Sequence, residues 1–121
     1  MLNFSIRPAM QDDADTLLMF IKKLAEYEKL FDQVKATKEL ILKYGFSDRP
    51  YFETLLAEDD QGRPLGLALY FFTFSTFLSK PTLYLEDLFV LPEFRHNGIG
   101  KQFFRELVNI AQERDCGRVE W

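Results

Sequence analysis

The stretch from Tyr84 to Gly100 restricts this chain more than any other. Its apolar residues run to Val90, and Pro92 ends a strand there because proline has no N–H to donate to a sheet. Arg95, His96, Asn97, Gly98, Ile99 and Gly100 follow, and a helical pattern starts directly after them. A helix N-terminus presents unpaired backbone N–H groups and the positive end of the helix dipole. Glycine at that point lets an anion come close to the backbone. The stretch reads as a buried strand, a short turn and a glycine-bearing loop that opens a helix. It proposes an anion site, with pyrophosphate as the candidate, at the Asn97 to Lys101 turn.

The rest of the chain supplies the elements around it. Phe4 to Arg7 alternates and is stopped by Pro8, a first strand. Asp12 or Asp13 is positioned to cap a helix in which Leu17, Leu18, Ile21, Leu24 and Ala25 recur at helical spacing, ending near Lys29 or Leu30. Phe31 to Val34 is a loop. Thr37 caps a shorter helix with Leu40, Ile41 and Tyr44, and Gly45 stands where helices often turn left-handed and stop. Tyr51 to Glu58 is a strand, Asp59 to Gly62 a hairpin turn, and Leu65 to Thr73 a second strand in which Gly66 marks a bulge or a close backbone contact. Thr82 to Val90 is the central strand. The following helix aligns Ile99, Phe103, Leu107 and Ile110 or Ala111 on one face. Gly117 is expected to end it, and Arg118 to Trp121 begins another strand, parallel to the central one as in a βαβ unit. The fold class is α/β, a mixed central sheet flanked by helices in the order β-α-α-β-β-β-α-β.

Composition narrows the function classes. The 121 residues suit one domain over residues 1–121, and nearly half are apolar, thirteen of them Phe. The formal charge of −4 argues against nucleic acid as the main partner. That acidic excess would suit a cationic small substrate, although many cytoplasmic proteins share it. No apolar run is long enough to span a bilayer, and no signal-peptide layout opens the chain, so no membrane partner is expected. The one cysteine, Cys116, excludes an internal disulfide framework and fits a reducing cytoplasm. His96 is the only histidine, with no second His or Cys at ligand spacing, so no metal is expected.

The pattern Arg-x-x-Gly-x-Gly at Arg95, Gly98 and Gly100, after a strand ending in Phe89 and Val90 with Pro92 and Phe94 beyond it, resembles the acetyl-CoA motif of the GNAT N-acetyltransferase superfamily. With Tyr84 to Val90, and with Leu24, Ala25, Tyr27 and Glu28 upstream, the chain is similar to the branch of diamine (spermidine/spermine) and thialysine N-acetyltransferases. The likeness extends from Ile6, Arg7, Pro8 and Ala9 to Cys116, Gly117 and Arg118. It implies the GNAT acyl-CoA N-acyltransferase fold, acetyl-CoA as co-substrate and no metal. It implies direct transfer to a small-molecule amine in a ternary complex, and a homodimer. In that family a further helix and two strands follow, with a tyrosine that protonates the departing thiolate. The resemblance therefore implies a chain incomplete at its C-terminus. It leaves room for two other readings: a CoA-binding fragment, or a non-catalytic interaction protein lacking the general acid.

The chemistry needs a proton acceptor, because an alkyl ammonium has a reference pKa of about 10.4. Glu86 and Asp87 are the candidates. Adjacent strand residues face opposite sides, so ordinarily only one of them reaches the cleft; the other would accept N–H bonds from a loop or helix. The resembled family carries a bulge in this strand, and by that resemblance Glu86 is the amine ligand and water-mediated base, with Asp87 second. Leu88, Phe89 and Val90 are implied to offer backbone groups to the pantetheine arm and the thioester oxygen. Arg95, His96, Asn97, Gly98, Ile99, Gly100 and Lys101 are implied to form the pyrophosphate loop. His96 stands where the family often has glycine and is read as a solvent-facing loop residue. Tyr27 and Glu28 are implied to bind the cationic acceptor, Glu28 through its charge and Tyr27 through a π face or its hydroxyl. Cys116 is read as core-facing, and the aromatic cluster from Tyr70 to Phe77 as mostly core with one wall of the acceptor tunnel.

Overall fold

The computed structural model describes residues 2–121. Five strands form one sheet in sequence order: β1 (Phe4–Pro8), β2 (Glu53–Asp59), β3 (Pro64–Ser75), β4 (Lys80–Val90) and β5 (Arg118–Glu120). The first three pairings are antiparallel. β5 lies parallel to β4, pairing only Thr82 to Tyr84 with Arg118 to Glu120. The expected crossover is thus present, made by helix α3 (Ile99–Glu113). Helices α1 (Ala14–Tyr27) and α2 (Lys38–Gly45) precede β2.

Each face of the sheet carries its own core. Phe103, Leu107 and Ala111 of α3, one helical face at spacings of four, pack on Leu55, Ala57, Ala68, Tyr70, Leu83 and Leu85. Leu17 and Phe20 of α1 and Ile41 of α2 pack on Leu56, Leu67 and Phe89. Phe20, Phe103, Leu17 and Leu107 are completely buried. Each contributes about 2–3 kcal/mol of apolar burial, so the sheet is clamped from both sides.

Polar clips fix the ends. Arg7 donates to both carboxylate oxygens of Asp13 at 2.8 and 3.0 Å and from Nε to Glu58 at 3.0 Å. This joins β1, the entry to α1 and β2, and holds the Asp13 carboxyl below its ordinary pKa. Asp13 is the N-cap residue of α1, but its carboxylate accepts from Arg7 and the Met10 N–H rather than capping the helix. Thr37 caps α2 as expected, accepting from the Leu40 N–H at 3.1 Å. On the α3 face, Glu53 accepts from the buried Tyr70 hydroxyl and from Arg114, each at 3.0 Å. Burial first, and the Glu53 charge second, push the Tyr70 phenol up.

Three local expectations are corrected. Gly45 is the last helical residue of α2 and has no positive φ; a Cβ there would lie 2.4 Å from the Phe52 ring, so close packing explains the glycine. α3 ends before Gly117: Asp115 takes the left-handed conformation (φ 55°), and the Cys116 N–H reaches Ala111 O at 2.8 Å in a Schellman closure. The aromatic run is only partly core, since Phe74 is 64% and Phe77 100% exposed at the β3–β4 hairpin tip.

Candidate active site

The β3–β4 register jumps at the centre of the sheet. Leu69 pairs with Asp87 and Tyr70 with Leu85, which leaves Glu86 as the extra residue of a bulge. Before it, Leu83 and Leu85 face α3; after it, Leu88 and Val90 face α3 and Phe89 faces α1. The bulge resets the alternation. Glu86 and Asp87 therefore both lie on the α1 side, contrary to the two-faced expectation from a regular strand.

The C-terminal end of α1 meets this face. Tyr27 is its last residue, and its ring meets Phe89 edge-on at 6.5 Å. Lys29 (φ 60°) closes the helix, with the Lys29 N–H on Glu26 O at 3.0 Å and the Leu30 N–H on Ala25 O at 2.8 Å. Glu28 lies in this Schellman turn and lines the same cleft as Leu88, Phe89 and Val90 of β4. Burial lifts the Asp87 pKa to about 6, with further contributions from the charges of Glu86 and then Glu28. Three carboxylates therefore share one patch. Among the described residues no lysine or arginine forms an ion pair with any of them.

Beyond the carboxylates the strand runs into the loop that opens α3. Asn97 Nδ2 donates to Phe94 O at 2.9 Å and to Arg95 O at 3.2 Å, which ties the loop back on itself. His96 and Gly98 both adopt left-handed conformations, φ 67° and 84°. His96 thus occupies a position where glycine would be unstrained, and histidine is among the residues that tolerate it. Its side chain lies on the exposed surface. Gly98 is the N-cap residue of α3, no side chain caps it, and no acidic residue lies in the first turn. A Cβ added at Gly98 would meet nothing within 4 Å, and one at Gly100 only Leu88 Cδ2 at 3.9 Å. Packing within the chain does not require glycine at 100, so the open space lies in front of the helix N-terminus. That cradle fits a phosphate group.

A cleft of about 540 Å³ runs from the end of α1 to this loop. Tyr27 and Glu28 line one wall, Leu88, Phe89 and Val90 the floor, and Arg95, His96, Gly98, Ile99, Gly100 and Lys101 the far end. Asn97, Glu86 and Asp87 do not line the cleft itself. Sequence reasoning placed Arg95 in the loop but did not foresee its contact with Tyr27. Its Nε donates to Val90 O at 3.0 Å, and its guanidinium lies 5.0 Å from the Tyr27 ring centre and 5.7 Å from that of Phe89. One π face of Tyr27 is thus covered by a cation of its own chain. Among the described residues no group of three or more His, Cys, Asp and Glu is placed to hold a metal, and no helix is long and apolar enough to cross a membrane.

A mixed sheet with a bulged central strand, a crossover helix and a glycine-opened N-terminus at the strand's end defines an acyltransferase framework. The acetyltransferase (GNAT) family model matches residues 17–121, and the chain belongs to that family. It is 38% identical to the thialysine N-epsilon-acetyltransferase of Sus scrofa over 125 residues, covering 98% of this chain and 73% of that protein. It is 37% identical to the spermidine/spermine N(1)-acetyltransferase-like protein 1 of Homo sapiens over 119 residues, 93% of this chain and 17% of that protein. Among solved structures, an aminoglycoside acetyltransferase from an uncultured soil metagenomic sample superposes with a TM-score of 0.82 at 17% identity, over 98% of this chain and 76% of that one. At that identity the likeness concerns the fold alone.

Proposed function

We propose that this acetyltransferase moves the acetyl group of acetyl-CoA to a primary amine of a small cationic acceptor, a polyamine, diamine or thialysine-like amino acid, by direct transfer in a ternary complex. The observation that carries the reading is the bulge at Glu86. It sets Glu86 and Asp87 on the face of Glu28, beside a cleft whose far end is the open N-terminus of α3.

In this reading the backbone N–H groups at Gly98 to Lys101 hold the pyrophosphate, and Lys101 adds charge there. Beyond Tyr84 no described strand pairs with the β5-side edge of β4. The backbone of Leu88, Phe89 and Val90 is therefore available to the pantetheine arm as to an added strand. Acetyl-CoA supplies the activated acyl group. The carboxylates bind the acceptor ammonium, and Glu86, directly or through water, takes its proton, with Asp87 second. The freed amine forms the new C–N bond as the C–S bond breaks, and the sulfur leaves as thiolate to be protonated. A homodimer in a reducing cytoplasm belongs to the same reading; the exposed hairpin tip at Phe74 and Phe77 offers apolar surface to a second copy.

The test is calorimetric titration of the chain with acetyl-CoA, followed by thiol release with spermidine and with thialysine. Binding with thiol release supports the reading. Binding without release leaves a CoA-binding protein, and no binding removes the phosphate role of the Arg95 to Lys101 loop.

A further inference from the structure

We propose that Arg95 is a positioning residue for the acceptor amine, acting across the cleft through Tyr27; the inference rests on the acceptor site described above. Among the described residues, no side-chain hydrogen bond or ion pair joins Tyr27 or Glu28 to β4. What spans the gap is a three-membered cluster: the Tyr27 ring meets Phe89 edge-on at 6.5 Å, and Arg95, fixed to the end of β4 through Val90 O at 3.0 Å, places its guanidinium 5.0 Å from Tyr27 and 5.7 Å from Phe89. Tyr27 in turn precedes Glu28 in a closed Schellman turn, so holding the ring holds the backbone from which the Glu28 side chain leaves.

The charge has a second consequence. A guanidinium already over the Tyr27 ring repels an incoming ammonium from that face and confines it to the side of Glu28, Glu86 and Asp87. Tyr27 then acts as the support of an internal cation rather than as an aromatic ligand for the substrate. Arg95 also begins the phosphate loop, its N–H reaching Pro92 O at 3.3 Å. Ordering of that loop by acetyl-CoA is thereby transmitted to the acceptor wall, and by linkage each ligand favours the other.

A double-mutant cycle tests this. Wild type, Arg95→Gln, Tyr27→Leu and the double variant are titrated with acetyl-CoA, and then, saturated with CoA, with thialysine and with spermidine. Arg95→Gln is expected to weaken acceptor binding about tenfold, and by a clearly larger factor than it weakens acetyl-CoA binding. In the Tyr27→Leu background the same change has no further effect. Arg95→Lys keeps the charge but loses the planar stack and the Nε bond, and follows Arg95→Gln. Additive effects in the cycle would overturn the proposal. So would a loss confined to acetyl-CoA, which would make Arg95 a direct phosphate ligand. If wild type binds acetyl-CoA but neither acceptor, the acceptor-site reading falls and this inference with it. If wild type binds both and Arg95→Gln is silent, only the inference falls.

Discussion

Glu86 and Asp87, consecutive in sequence, lie on the same side of the sheet because the β3–β4 register skips one residue between them and Leu69 and Tyr70. Two neighbouring carboxylates, with Glu28 across from them, make an uncompensated anionic patch whose less solvated member is Asp87. The arrangement is unfavourable for folding alone and favourable for holding a cation.

Removing the two charges should therefore separate function from stability. Glu86→Gln is expected to lower turnover by about 10²-fold or more, with acetyl-CoA affinity unchanged in calorimetry. Asp87→Asn is expected to raise stability at pH 7.5 by about 1 kcal/mol, a figure discounted for solvent screening, while weakening acceptor binding. An Asp87→Asn protein less stable than wild type by urea titration would contradict the patch.

The pH dependence has a definite sign. Asp87 has its pKa raised from 3.8 to about 6 in the folded chain. Below 3.8 it is protonated in both states and costs nothing. As pH rises from there through 6, the unfolded chain releases its proton first, so this group's contribution lowers stability and the loss is complete above that range. The difference in unfolding free energy between Asp87→Asn and wild type should grow from near zero at pH 3.5 to its full value by about pH 7. A difference that is flat with pH would refute the assignment.

Two glycines that lie against the C-terminal end of β4, Gly66 on β3 and Gly100 on α3, should behave in opposite ways. An Ala at Gly66 would put its Cβ 2.5 Å from Phe89 O and 3.1 Å from Val90 Cα, both backbone atoms of β4. Gly66→Ala is expected to cost about 2–3 kcal/mol and to lower activity by moving the strand. Gly100→Ala meets only Leu88 Cδ2 at 3.9 Å and sits in a helix, where alanine gains up to about 1 kcal/mol. It should melt no lower than wild type and yet bind acetyl-CoA about tenfold more weakly, because the methyl group fills the phosphate cradle. Equal acetyl-CoA affinity in Gly100→Ala would remove the cradle.

Lys29 is exposed and left-handed at φ 60° in the Schellman turn after α1. Lys29→Gly is expected to raise stability by up to about 1 kcal/mol, and Lys29→Val to lower it by a similar amount, in thermal unfolding. Acceptor affinity should change little in the glycine variant, since the turn that carries Glu28 is kept.

Local signals determined much of this protein. Periodicity placed α1 and α3 and their core residues Leu17, Phe103 and Leu107; Thr37 marked the start of α2; and the strand–loop–helix pattern from Tyr84 to Lys101 located the end of the cleft. These are legible because they depend on spacing and backbone chemistry within a few residues. The tertiary structure decided the rest. Whether Glu86 and Asp87 share a face depends on the pairing of β4 with β3, which no local rule fixes, since a single skipped residue inverts every side chain beyond it. At Gly66 the sequence pointed to a bulge or a close backbone contact, and the backbone of Phe89 on β4 makes that contact; at Gly45 it pointed to a left-handed helix stop, whereas the Phe52 ring packed against it is what requires glycine. The two sides of the cleft meet through Arg95 over Tyr27, residues brought together only when α1 packs on β4, and it is this packing that turns separate motifs into one site.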